Sequence, residues 1–188
     1  MVMQAKRMKY PRILSEEEVA HIFKAAESNA RDCMILKCLY YLGLKSKELL
    51  ALKTSDIDVD KAVINITEAT SQRNRKEKRG ILIPGRFSIE LQSFILGKEG
   101  PVFAGRSNDR ALSDRHIRRI VKEYARLADV RNYEEIKPHT FRVSYAAHLR
   151  KDGIPVKSIQ KLLGHSRRET TYIYTHGLNN TKTSVTDF

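Results

Sequence analysis

With 188 residues, 41% hydrophobic and 30% charged, the chain is long enough for one globular domain and too mixed in composition for a disordered tail or a fibre. It holds no run of about 18 apolar residues, which excludes a membrane-spanning helix. Thirty-five Lys and Arg against 22 Asp and Glu give a net charge of +13, which points to a polyanionic partner, with nucleic acid as the default.

The first 13 residues form a basic N-terminal extension. The segment MVMQAKRMKYPR has the charges of a signal peptide but no apolar stretch behind them, so secretion is not expected. A helix starts at Ser15: Glu18 completes a capping box, Leu14 can staple onto Val19, and Val19, Ile22, Phe23 and Ala26 follow at helical spacing. A second helix is predicted over about 31–42, with Met34, Ile35, Cys38, Leu39 and Leu42 inward and Gly43 ending it. Cys33 and Cys38 lie in this apolar segment and read as reduced core residues of a cytoplasmic protein, and Tyr40 and Tyr41 read as core. Ser46 is placed to cap a short third helix through Leu50.

The period then changes. The segment AVINIT (62–67) alternates as a strand, and Ile81 to Ile83, stopped by Pro84, form another. Between them lies ATSQRNRKEKRG, polar and strongly basic, which predicts a hairpin with a long mobile tip. Helices resume over 88–96 and 114–128. The second is capped by Ser113 and carries Ile117, Ile120, Val121, Tyr124 and Leu127 on one stripe. Further helices are predicted over 139–151, over 156–163 and near 168–174, and the tail 177–188 reads as weakly structured. The fold class is mainly α with a small antiparallel β-hairpin or three-stranded sheet.

Three places carry chemistry. In PHTFR, Pro138 suits a helix entry, and His139 and Arg142 share a helical face, a pairing able to contact a phosphate. In LLGHS followed by TTYIYTH, Gly164 ends a helix and Tyr174 lies nine residues after His165. A tyrosine there can be a core aromatic, a base-stacking platform, or a nucleophile whose attack on phosphorus leaves a phosphotyrosyl ester. An ordinary tyrosine, with a pKa of about 10, needs cations and a proton acceptor for that role. The third place is the basic hairpin with Arg73, Arg75, Lys76, Lys78 and Arg79, either a solvated loop or a finger reaching into a groove. Tyr172 is offset from Tyr174 and points elsewhere, and His21, His116 and His148 fit solvated faces. No His/Cys cluster has zinc spacing, so no metal is expected.

Taken in order, ILSEEEV, YLGLKSKELLALKTSDID, the basic hairpin closing in IP, PHTFR, IQKLLGHS and TYIYTH resemble the tyrosine recombinases, the family of Xer-type and phage integrases. The resemblance implies a site-specific recombinase that cuts one DNA strand at a time through a 3′-phosphotyrosine and reseals through a Holliday junction. It implies no cofactor, and a homo-oligomer, a tetramer, on double-stranded DNA. It makes Tyr174 the nucleophile, Arg142 and His165 phosphate ligands, His139 a proton acceptor or phosphate ligand, and Lys76, with Lys78 as the alternative, the hairpin lysine. Arg73, Arg75, Lys78 and Arg79 are then DNA contacts. The catalytic domain spans 14–176.

Two departures from the family stand out. The first box has Lys45 where the family has an arginine, which keeps the charge and loses the bidentate fork. The resemblance also implies a core-binding domain in front of the catalytic domain, and the 13 residues read here as the N-terminal extension are not expected to form one, whether the sequence is a catalytic fragment or a minimal protein. An active recombinase, a non-catalytic or weakly catalytic DNA-binding relative, and a type IB topoisomerase therefore stand as the readings. Box order and short spacing favour a recombinase over a topoisomerase.

Overall fold

The structure is a computed structural model that describes residues 11–69, 76–104, 112–165 and 167–176, the side chains of 67–69, 76–78 and 176 excepted. The N-terminal residues 1–10, Arg73, Arg75, the hairpin tip and the tail 177–188 lie outside the described residues.

Helix α1 (Glu16–Ala25) starts where the capping box requires it. Ser15 Oγ accepts from the Glu18 amide at 3.0 Å and the Ser15 amide donates to Glu18 Oε2 at 2.7 Å. Such a cap contributes about 1 kcal/mol. Helix α2 (Ala30–Tyr41) is capped by Asn29 and runs through the centre, burying Cys33, Met34, Ile35, Leu36, Cys38 and Leu39. Both cysteines are free and buried. Tyr40 and Tyr41 are half-buried and pack against the core rather than within it. Helix α3 (Ser46–Ala51) begins at Ser46 itself. The cap expected from Ser46 is replaced from inside the helix: Glu48 reaches back and accepts from the Lys45 amide at 2.8 Å.

After a 3-10 turn at Thr54–Asp56, strands β1 (Ile57–Asp58), β2 (Val63–Ala69) and β3 (Lys76–Leu82) form an antiparallel sheet in the order β1-β2-β3. The fold class read from the sequence is the observed one. Ile64 faces Ile81 and Ile66 faces Arg79 across the β2–β3 ladder. Ile64, Ile66 and Ile81 are buried, and burying each isoleucine contributes roughly 1.5–3 kcal/mol. The hairpin is longer than the sequence suggests. The stretch from Lys76 to Arg79, read as part of a mobile tip, is strand. Alternation then puts Arg79 on the same face as Ile81, toward the protein interior. Leu82, on the other face, is 69% exposed.

Helix α4 (Gly85–Ile95) follows Pro84 directly. Helix α5 (Asp114–Leu127) is capped by Ser113 and buries Ile117, Ile120, Val121 and Tyr124, while Leu127, expected on that stripe, is exposed. Helix α6 (Pro138–Lys151) has Pro at its first turn and is buried along most of its length. Its Ser144 Oγ accepts from the Leu14 amide at 2.8 Å, which ties the chain's entry to α6. His148, read as solvated, is buried: it lies 2.7 Å from the Tyr40 hydroxyl through Nδ1. Helices α7 (Val156–Leu163) and α8 (Arg168–His176) close the fold.

Two cores result. The larger joins α1, α2, α4, α5 and the sheet. The smaller contains Val143, Tyr145, Ala146, Ile159, Leu163 and Tyr174, from α6, α7 and α8. Among the described residues no helix is long and apolar enough to cross a membrane.

Candidate active site

Pro138 starts α6 and places His139 in its first turn, with Arg142 one turn further in. Gly164 ends α7 at φ +65°, a left-handed turn suited to glycine, and brings His165 back toward α6. The His165 amide donates to Gln160 O at 3.1 Å, and Gln160 Nε2 donates to His165 O at 3.0 Å. The side chain of Tyr174, on α8, then reaches between the two histidines.

The phenol oxygen of Tyr174 lies 2.9 Å from His139 Nε2. The rings of His139 and His165 meet Tyr174 edge-on, with centroids at 5.3 and 5.0 Å. His165 is oriented by a 2.9 Å hydrogen bond between Nδ1 and Thr171 Oγ1. Thr171 carries no chemical motif in the sequence, although its position three residues before Tyr174 puts both on one face of α8.

Arg142 is only 2% exposed. Its Nη1 donates to Gly43 O and its Nη2 to Leu163 O, so main-chain carbonyls of two turns aim the guanidinium. The Glu48 carboxylate gathers the cations around it. Glu48 Oε2 is 3.0 Å from Arg79 Nη2 and 3.9 Å from Arg142 Nη1, and Oε1 is 3.8 Å from Lys45 Nζ. The sequence showed Glu48 only as part of a box, and nothing there marked it as the pocket's anion. Arg79, read as a DNA contact on the basic hairpin, faces the pocket because of its place in β3.

Protonation follows from this environment. Loss of surrounding water lowers the His139 pKa, and the Arg142 charge lowers it further. His165 is pushed down to about 3, first by burial and then by Arg142, Lys45, His139 and Arg79. Both imidazoles are therefore neutral at pH 7. Burial raises the Tyr174 pKa, and Arg142 works against that rise. The pocket thus pairs a protonated phenol with a neutral imidazole able to accept its proton, beside a cluster of cations.

The structure brings together Tyr174, His139, His165, Arg142, Lys45 and Arg79 of the residues singled out in the sequence. The main chain of Lys76 and Lys78 lies in β3, while their side chains, like all of Arg73 and Arg75, are outside the described residues. Tyr172 is 54% exposed and points away. Among the described residues no group of His, Cys, Asp and Glu has the makeup of a metal site.

A tyrosine recombinase XerA of Pyrococcus furiosus is 32% identical over 185 residues, covering 92% of this chain and 62% of the relative. A tyrosine recombinase XerC of Thermodesulfovibrio yellowstonii is 31% identical over 177 residues, covering 88% of this chain and 58% of the relative. The chain thus spans about three fifths of the length of these relatives. The crystal structure of a XerA recombinase matches with a TM-score of 0.79 at 26% identity, covering 93% of this chain and 65% of that one. A XerH site-specific recombinase bound to its difH substrate shares the fold, with a TM-score of 0.73 at 22% identity, covering 95% of this chain and 54% of that one. The model of the phage integrase family matches residues 12–181, a span that holds every residue of the pocket, and the chain belongs to that family of tyrosine recombinases.

Proposed function

We propose that this domain cleaves and rejoins DNA strands at a specific site through a 3′-phosphotyrosine. The observation that carries the reading is the 2.9 Å contact between the Tyr174 hydroxyl and a His139 held neutral, next to Arg142. Tyr174 Oη attacks the scissile phosphorus as its proton passes to His139 Nε2. The Oη–P bond forms while the bond from phosphorus to the 5′ oxygen breaks, and that oxygen takes a proton from Lys76. Arg142 and His165 hold the non-bridging oxygens, where charge develops. In the second half-reaction the 5′ hydroxyl of a partner strand attacks phosphorus and releases Tyr174. The ester conserves the phosphodiester bond, so the cycle balances without a metal or a nucleotide.

Arg73, Arg75 and Lys78 bind the DNA backbone, and four protomers assemble on two sites. The XerA and XerC relatives support this reading by their similarity to the chain. A second reading, a DNA-binding relative that no longer cuts, draws on Lys45, whose side chain is 47% exposed on the open side of Glu48. A suicide substrate nicked near the cleavage site separates the two. A covalent protein–DNA adduct supports strand transfer, whereas binding without an adduct supports the relative.

A further inference from the structure

Two arginines, not one, are docked on the same structural support. Glu48 Oε2 lies 3.0 Å from Arg79 Nη2 and 3.9 Å from Arg142 Nη1. The turn 163–165 holds both from the other side: Leu163 O accepts from Arg142 Nη2, and Arg79 lies across Gly164. A Cβ at position 164 would stand 3.0 Å from Arg79 Cδ and 3.2 Å from Cζ, so glycine makes room for the guanidinium there. Arg79 reaches this place because strand β3 begins early, pairing it with Ile66 on the interior face. Its side chain is 12% exposed, which does not fit a residue that merely adds charge to a loop.

The geometry points to Arg79 as the second guanidinium of the phosphate clamp, standing in for the arginine that Lys45 replaces. The inference rests on the proposed strand cleavage. The charges make the need plain. Lys45, Arg79 and Arg142 against Glu48 are three cations and one anion, a net of +2; without Arg79 the net is +1. A phosphodiester carries one negative charge and its pentacoordinate transition state two. A lysine on the half-exposed rim supplies a point charge, whereas a planar guanidinium held by a carboxylate supplies fixed N–H donors. Arg79 thereby restores the donor geometry from β3, on the same wall of the pocket as Lys45.

The test compares a suicide substrate having an ordinary scissile phosphodiester with one having a methylphosphonate there, in which a neutral methyl group replaces one charged oxygen. On the phosphodiester, Arg79→Met is expected to slow adduct formation by about a hundredfold or more, with DNA affinity changed less than about threefold. On the methylphosphonate, where less charge needs neutralising, its deficit should shrink to less than about tenfold relative to the unmodified chain. Lys45→Arg should recover part of the loss in the Arg79→Met background and give a smaller gain with Arg79 present. Arg79→Met cleaving at the unmodified rate, or losing equally on both substrates, overturns the proposal; the second result assigns Arg79 a structural role. Should thermal unfolding show that Arg79→Met does not fold, Arg79→Lys decides. A roughly tenfold loss that the methylphosphonate relieves supports the clamp, and an unchanged rate overturns it. If the unmodified chain forms no adduct on either substrate, the strand-cleavage reading itself fails and the clamp falls with it.

Discussion

The two walls of the pocket are built on opposite principles. On the α6–α8 wall, Tyr174, His139 and His165 are neutral groups held by edge-on ring packing and by two hydrogen bonds of 2.9 Å. On the α3–β3 wall, Lys45, Arg79 and Glu48 are charged groups held by ion pairs. Arg142 stands between them, aimed by main-chain carbonyls. The division teaches that proton handling and charge neutralisation need different surroundings. An imidazole that must accept a proton at neutral pH has to be kept uncharged, which burial and neighbouring cations accomplish together. A carboxylate buried among the cations offsets their mutual repulsion and their loss of surrounding water.

The sharpest break is on the neutral wall. Tyr174→Phe should leave no detectable adduct with a suicide substrate, while DNA affinity stays within about twofold, because the ring remains in the small core and only the nucleophilic oxygen is lost. An adduct persisting in that variant would discard the assignment. On the charged wall, Glu48→Gln keeps the shape and removes the anion. Breaking a buried pair from one side costs about 3 kcal/mol or more. Thermal unfolding should show that loss, and cleavage should fall about a hundredfold as the guanidiniums lose their alignment. A Glu48→Gln protein with ordinary stability and rate would mean that the ion pairs are incidental.

Smaller effects refine the comparison. Lys45→Arg should raise cleavage roughly tenfold with little change in affinity. Lys45 is half-exposed, so the larger head group meets no packed wall. An unchanged single-turnover rate would remove position 45 from the clamp. For His165, the folded pKa of about 3 lies below the ordinary imidazole value of about 6.5. Between those values the unfolded chain binds a proton that the folded chain refuses, so stability falls as the pH drops through the window. Denaturant titrations between pH 7 and pH 4 should show the fall, and His165→Asn should flatten it. An imidazole resonance of His165 titrating near pH 6.5 in the free domain would contradict the desolvated wall.

Helices and their caps were legible because their signals are local. Ser15 with Glu18, Ser113 before α5, Pro138 at the start of α6 and Gly164 after α7 each act within one turn. Tyr174, His139, Arg142 and His165 were legible as a set because their motifs stand in order along the chain, although spacing alone left Tyr174 open to three roles. What escaped depends on contacts distant in sequence. The start of β3 is too basic to read as a strand, and only its pairing with β2 makes it one. Arg79 consequently looked like a loop residue. Glu48 gains its meaning from Arg79 and Arg142, 31 and 94 residues further along the chain. His148 looked solvated because its partner, Tyr40, is on another helix.

Arg142 is aimed by the oxygen atoms of residues 43 and 163, and an oxygen of the main chain belongs to no particular side chain. Side-chain scanning at those two positions therefore perturbs the aim only indirectly, through backbone conformation. At Gly43 the effect is severe, since φ is +56° and a Cβ would stand 2.8 Å from Leu163 Cδ2. At Leu163 a change of side chain leaves the acceptor in place and disturbs only the small core. A guanidinium held in this way can keep its bearing while most of the neighbouring residues drift. A protein sharing about a third of its residues with its relatives can then retain a common site geometry, because part of that geometry is written in atoms that substitution does not reach.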